Sequence, residues 1–297
     1  MKPAAFEYFR PRSLDEALAL LGEHGGDAKP LAGGQSLIPA MNFRLATPAV
    51  LVDLNALGEL GHIEDAGGGV RIGGMARQRA VERSALVSER VPLVTETMPH
   101  IAHPAIRNRG TFGGSLAHAD PAAELPAVIL ALNATMVVRS ASGTREIPAD
   151  AFFLGLFSTA VRHGELLTEV RIPPAAPRTG CAFREVSRRH GDFALVGVAA
   201  SVELDVEGRC TNARVALLSV GDRPMLAGHA ARALKGHMPS PGAIRAAADA
   251  AATHDIDPSG DIHASARYRR QLADVLTRRA LERAFERASA KQTGATT

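Results

Sequence analysis

Two pairs of adjacent glycines have the most evident chemical purpose in this chain. The first sits in Leu31-Ala32-Gly33-Gly34-Gln35-Ser36-Leu37. Adjacent glycines behind a strand let the backbone approach a ligand closely and turn its N–H groups outward. A helix starting just beyond them adds a favourable dipole for an anion, and Ser36 adds a hydroxyl donor. The spacing is neither G-x-G-x-x-G nor a Walker loop, and a lone Gly-Gly pair is also how an ordinary tight turn is made. The second pair sits in Arg107-Asn-Arg-Gly-Thr-Phe-Gly-Gly-Ser-Leu116, followed by Ala-His-Ala-Asp-Pro-Ala-Ala-Glu124. Here Thr111, Gly113, Gly114 and Ser115 suit a backbone cradle for phosphate oxygens. Asp120 and Glu124 are acceptors able to hold ribose hydroxyls, although Asp120 before Pro121 also suits a helix start. Two such loops in one chain suggest a ligand with two phosphates held from both sides. A third segment, Arg188-Arg-His-Gly-Asp-Phe-Ala194, reads by itself as a charged turn between strands.

Other chemistries are excluded. The C-terminal part of the chain shows no obvious set of proton-handling residues for a substrate pocket of its own. His100 and His103 have no third ligand at a recognisable spacing, so no metal site is expected. The cysteines are two, Cys181 and Cys210. That excludes a disulfide framework, a four-cysteine zinc site and an iron–sulfur cluster held by this chain alone. The thiols read as reduced, in a cytoplasmic protein. Thirty-four basic residues against 31 acidic give a net charge of +3, and 46% of residues are hydrophobic, enough for a sizeable core. The arginines are scattered among acids without any nucleic-acid-binding motif, which argues against such a partner. The opening carries Glu7 and Arg10 where a signal peptide needs an apolar run. The apolar stretches 125–132 and 151–161 fall short of the ~18–20 residues that span a bilayer.

The elements that position these residues follow from caps and periodicity. Ser13 to Leu21 reads as a helix with Ser13 as N-cap and Leu14, Ala17, Leu18 and Leu21 as its stripe. Strands are expected at Lys29–Ala32 and Val50–Leu54, with a helix from Leu37 to Arg44, a βαβ-like opening too short for a dinucleotide-binding domain. Beyond Gly61 come a strand with a glycine break at Val70–Gly74, helices at Ala80–Ser88 and Pro92–Met98, and a glycine-punctuated loop at Ile106–Leu116. A helix at Leu125–Ala131, a hairpin at Ala134–Ile147 and a strand at Leu166–Ile172 follow. Pro173 to Pro177 reads as a linker. Past it, 180–186, 194–204 and 210–220 suggest an antiparallel sheet. Helices at Ala243–Ala252 and Ser265–Ala288 come next, the last with Tyr268, Leu272, Val275, Leu276 and Phe285 on one face.

Together the three segments resemble the FAD-binding medium subunit of the molybdenum hydroxylases, the group that includes carbon monoxide dehydrogenase and xanthine dehydrogenase. The resemblance runs from Phe6, Tyr8, Arg10 and Pro11 through AGGQSL, IRNRGTFGGSLAHADPAAELP and RRHGDFA to YRRQLADVLTRRAL. It implies an α+β fold: a two-subdomain FAD-binding domain of the PCMH type over 1–175 (about 1–56 and 57–175). A C-terminal domain over 178–288 of a three-stranded antiparallel sheet plus helices follows, with a flexible tail at 289–297. It implies that Leu31 to Leu37 wrap the FAD pyrophosphate, with Thr111, Gly113, Gly114 and Ser115 as the second wall. Glu124 and Asp120 would bind sugar or ribityl hydroxyls, and Ile101 and Leu167 would flank the flavin ring. Arg184 falls where relatives carry a basic residue near the flavin. Phe193 falls where some carry a tyrosine, and without the hydroxyl it packs but does not hydrogen-bond. Whether His118 reaches the flavin is left open. The resemblance further implies that substrate is hydroxylated at a molybdenum cofactor on a large partner subunit. Electrons would pass through two [2Fe–2S] clusters on a small iron–sulfur subunit to this FAD and on to an external acceptor. The expected assembly is a dimer of heterotrimers. The alternative is a self-contained FAD-dependent oxidoreductase; substrate and acceptor are not legible in this chain.

Overall fold

A computed structural model describes residues 2–293. The chain opens with a small parallel sheet in which Val50–Asp53 lies between Glu7–Phe9 and Ala28–Leu31. All residues of the central strand are buried, the pattern of a parallel strand covered on both faces. The helix Leu14–His24 forms where the sequence places it. The Ser13 hydroxyl accepts the Glu16 N–H at 3.2 Å, and Leu14, Ala17, Leu18 and Leu21 are buried against the sheet.

The middle of the chain is a five-stranded antiparallel sheet in the order Ile63–Ala66, Gly69–Gly73, Leu166–Ile172, Thr135–Ser140, Gly143–Pro148. Helices Pro92–Thr97 and Glu124–Ala131 bury the core on it, and the latter is buried along its whole length. The helix expected over Ala80–Ser88 is instead two, Gln78–Arg83 and Ala85–Arg90. Ser84 divides them because its hydroxyl accepts Val87 N–H and starts the second.

Past the proline-rich 173–177, Thr179–Ser187, Ala194–Leu204 and Cys210–Leu218 form an antiparallel sheet. The sheet has four strands rather than three: Met225–Leu226 adds a short edge to Cys210–Leu218. Two residues are too few for alternation to reveal a strand. One face, with Ala182, Val196, Val198, Val215 and Leu217, packs on the long helix Ala266–Thr293. The opposite face, with Phe183, Ala199, Ala216 and Leu218, joins the core of the middle sheet. The C-terminal sheet is therefore a layer between the long helix and the middle of the chain. Glu96 fastens the junction, accepting from Phe183 N–H and Arg184 and pairing with Arg287.

The long helix turns the expected Leu276 and Phe285 inward, with Leu272 partly buried against the same core, but its stripe departs from the expected one at Tyr268. Tyr268 is exposed, and the buried stripe is Ala273, Leu276, Ala280, Leu281, Ala284, Phe285 and Ala288. Its alanines let the strand come close: a Cβ on Gly180 would lie 2.5 Å from Ala288 N. The helix runs through Thr293, past Ser289 where fraying was expected, and 294–297 of the expected tail lie outside the described residues. Among the described residues no helix is long and apolar enough to cross a membrane.

Candidate functional site

A cleft of about 560 Å³ opens beside the first glycine pair. Its walls include Leu31, Ala32, Gly33, Gly34 and Gln35 from the loop, Tyr8 and Asp53 from the parallel sheet, Asn55 from the turn just after it, and Arg109 from the second loop. Gly34 has φ +73°, which only glycine adopts without strain, so the chain reverses there. Beyond it the amides of Gly34, Gln35, Ser36 and Leu37 meet no protein acceptor among the described residues. The Ser36 hydroxyl is likewise exposed and makes no cap bond to the helix Leu37–Asn42. Successive outward N–H groups of this kind form an anion-binding concavity.

The second glycine loop is built differently. The expected loop over Ile106–Leu116 gives way at Phe112 to a helix, Phe112–His118, because Thr111 caps it and Phe112 and Leu116 are fully buried. Its amides are engaged: Phe112 N donates to Ala76 O at 2.9 Å, Gly113 N to Gly74 O at 3.1 Å, Gly114 N to Thr111 Oγ1 at 3.0 Å and Ser115 N to Thr111 O at 3.2 Å. The glycines here serve close approach rather than display. A Cβ on Gly113 would lie 2.6 Å from Gly74 Cα, and one on Gly114 would lie 2.5 Å from Thr111 Oγ1. Gly33 belongs to the same mesh, since its Cβ would lie 2.8 Å from Gly110 Cα. Gly74 in turn lies against the carbonyl of Leu167. Thus first loop, second loop and the start of Leu166–Ile172 stack backbone on backbone.

The remaining expected residues lie outside the walls of this cleft. Ile101 is buried, and its carbonyl accepts from Arg107 at 2.8 Å. Arg107 is itself held by Glu82 at 3.0 Å. The third segment folds onto this stretch: a Cβ on Gly191 would lie 2.6 Å from the His103 ring, and the His103 and His190 rings are 6.3 Å apart. Phe193 projects from the same segment and is 67% exposed. Arg184 turns to Glu96 at 3.3 Å and to its neighbour's carbonyl, on the domain junction. His118 packs at a tilt against Phe157, with ring centroids 5.0 Å apart and planes 36° from parallel. Asp120 closes a turn onto Ala122 N at 2.9 Å instead of capping the helix, whose N-cap position is Ala123.

Glu124 opens that helix and is buried. Burial pushes its carboxyl up to about 7, with the charge of Asp120 adding to the effect. Glu185, on Thr179–Ser187, is pushed up to about 8 by burial and by Glu124. Its Oε2 is buried and has no hydrogen-bond partner among the described residues, and its Oε1 lies 4.0 Å from His100 Nδ1. A buried acceptor without a donor, as at Glu185 Oε2, suits a ligand that brings a hydroxyl or N–H group.

Comparison with known proteins decides the family. Residues 4–175 match the family described as FAD binding domain in molybdopterin dehydrogenase, and residues 181–284 match the CO dehydrogenase flavoprotein C-terminal domain. The chain is a medium, FAD-binding subunit of the molybdenum hydroxylase family. It is 42% identical to the 6-hydroxypseudooxynicotine dehydrogenase complex subunit alpha of Paenarthrobacter nicotinovorans, over 97% of each chain. It is 40% identical to the caffeine dehydrogenase subunit beta of Pseudomonas sp. strain CBB1, again over 97% of each chain. The carbon monoxide dehydrogenase of Hydrogenophaga pseudoflava superposes with a TM-score of 0.94 at 40% identity, covering 97% of this chain and 99% of that one. The donor set fits the family's cofactor: unbonded amides for the two phosphates and buried acceptors for hydroxyl or imide groups.

Sequence reasoning missed Asn55, Arg77, Gly74 and Glu185. Gly73-Gly74 was visible as a glycine break at the end of a strand. Asn55, Arg77 and Glu185 carry no local signal, because their partners are distant in the chain.

Proposed function

We propose that this subunit holds FAD across the two glycine loops and passes electrons through it. The observation that carries the reading is the run of unbonded amides from Gly34 to Leu37 on the lip of the cleft. In this reading Leu31 to Leu37 wrap the pyrophosphate, with Thr111, Gly113, Gly114 and Ser115 as the second wall. Glu124, with Asp120, takes sugar or ribityl hydroxyls. Ile101 and Leu167 flank the ring, Phe193 packs beside it, and Arg184 supplies positive charge from the junction. Bound FAD supplies the change between two-electron and one-electron chemistry that the side chains lack. The chain's own work is to bind, orient and shield. In this reading no residue of the chain needs to act as a catalytic acid or base.

Electrons reach the site from two [2Fe–2S] clusters on a small partner subunit and leave to an external acceptor, while substrate is hydroxylated at the molybdenum cofactor of a large subunit. The assembly is a dimer of heterotrimers in the cytoplasm, with residues 1–175 as the cofactor-binding unit and 178–288 covering it. Co-expression with its neighbouring genes tests this. The chain should co-purify with a molybdenum-containing and an iron–sulfur subunit, in a complex with a flavin absorption spectrum. A chain that remains flavin-free and never joins such partners would contradict the proposal.

A further inference from the structure

Beneath the cleft a chain of side-chain bonds joins the two glycine loops. Asn55 Nδ2 donates to Ala32 O at 3.1 Å, holding the first loop from below. Arg77 forks from the other side: NH2 donates to Asn55 Oδ1 at 2.6 Å, and NH1 donates to Arg109 O in the second loop. The Arg77 backbone is also fixed to that loop. It forms an isolated bridge with Thr111, flanked by Gln78 N to Gly110 O at 2.9 Å and Phe112 N to Ala76 O at 2.9 Å. At the other end, Asp53 accepts from both the amide N–H of Asn55 (2.9 Å) and its side chain, and Tyr8 donates to the same carboxylate. The Asp53 carboxyl is held below its usual range despite burial, by the Tyr8 and Asn55 bonds. Burial and the neighbouring Arg109 charge lower the Arg77 guanidinium, a cost that only well-made bonds offset.

We infer that Arg77 and Asn55 form a bracket that sets the spacing of the two FAD-binding loops. Both are positioning residues, acting through the carbonyls of Ala32 and Arg109, although Asn55 also lines the cleft wall. Gly33 is already in backbone contact with Arg109–Gly110, so the loops can neither close further nor separate without breaking the bracket. The free amides of Gly34 to Leu37 are thereby aimed before any ligand arrives, which removes the ordering cost from binding. Arginine suits the position because a planar fork reaches two acceptors at once, and lysine has no such fork. This inference rests on the proposed FAD role of the two loops.

The test uses the complex co-expressed with its partner subunits, stripped of flavin and titrated with FAD by fluorescence quenching, with ADP as competitor. Arg77→Met is expected to weaken FAD about tenfold, the equivalent of ~1.4 kcal/mol, and ADP by the same factor. Asn55→Ala should do the same, and the double variant should be no worse than the larger single, since both act through one bracket. Arg77→Lys should leave most of the defect in place. Should Arg77→Met fail to fold, Asn55→Ala with its melting temperature intact carries the test. Unchanged affinity in Arg77→Met and Asn55→Ala, with normal binding by the parent, overturns the bracket and leaves the FAD reading standing. Full recovery in Arg77→Lys overturns it too, by showing that charge alone matters. A parent complex without FAD affinity overturns both.

Discussion

The two glycine loops share a sequence signature and differ in physics. In the first, Gly34 takes a left-handed backbone and the amides from Gly34 to Leu37 point away from protein acceptors. In the second, Thr111 caps a helix and the amides from Phe112 to Ser115 are all bonded internally. One pair displays backbone donors. The other removes side chains so that the helix can lie on Gly74, and Gly33 of the first pair is bare for a similar reason, where it meets Arg109–Gly110. A Gly-Gly pair therefore announces a close approach without saying whether a ligand or another backbone is approaching.

The largest effect is expected on the meshed side. Gly113→Val puts a branched side chain where Gly74 Cα lies 2.6 Å from the Cβ position, and two backbones cannot move apart cheaply. A stability loss of about 3 kcal/mol is expected, seen in denaturant unfolding of the flavin-free chain as well as the loaded one. Unchanged stability of the flavin-free chain would show that the second loop is not the structural one.

A middle effect comes from pH, which separates the carboxyl wall from both loops. Glu124 and Glu185 sit at about 7 and about 8 in the folded chain. Their folded values lie above the unfolded one, so the folded state keeps protons that the unfolded chain has released. That stabilisation is fully present below the ordinary glutamate value of 4.5 and is lost as pH rises through about 7 and then about 8. The melting temperature of the flavin-free chain should fall across that window, and Glu185→Gln should flatten the fall. An identical profile in Glu185→Gln would remove the carboxyl pair from the account.

The smallest effect belongs to Ser36. Its hydroxyl holds nothing in the protein, so Ser36→Ala should leave the melting temperature alone and weaken FAD about threefold to tenfold, the value of one hydrogen bond. A lowered melting temperature with unchanged FAD affinity would make it structural after all, erasing the contrast with Thr111.

Much of this was legible in the sequence where the signal was local. Ser13 announced its helix because a cap and a stripe lie within a few residues. The strands at 166–172 and 194–204 were plain from their runs of apolar and β-branched residues. What escaped depended on distant partners. The helix after Thr111 was hidden by glycines that usually break helices; it forms because Phe112 and Leu116 are buried and Gly74 makes room. Tyr268 looked like part of an apolar face, but the strand against the long helix selects alanines that let backbones touch. In the site, the motif residues Gly33, Gly34 and Thr111 were named in advance. Asn55 and Arg77 were not, because the carbonyls they hold belong to loops more than twenty residues away.

The central claim is that the first loop gives its amides to the cofactor and the second does not. Amide hydrogen exchange of the co-expressed complex, with and without FAD and resolved by peptide, measures this directly. FAD should strongly slow exchange at residues 34–37 and leave 112–115 nearly unchanged, since those amides are already bonded. Equal protection of both loops, or protection confined to 112–115, would contradict it.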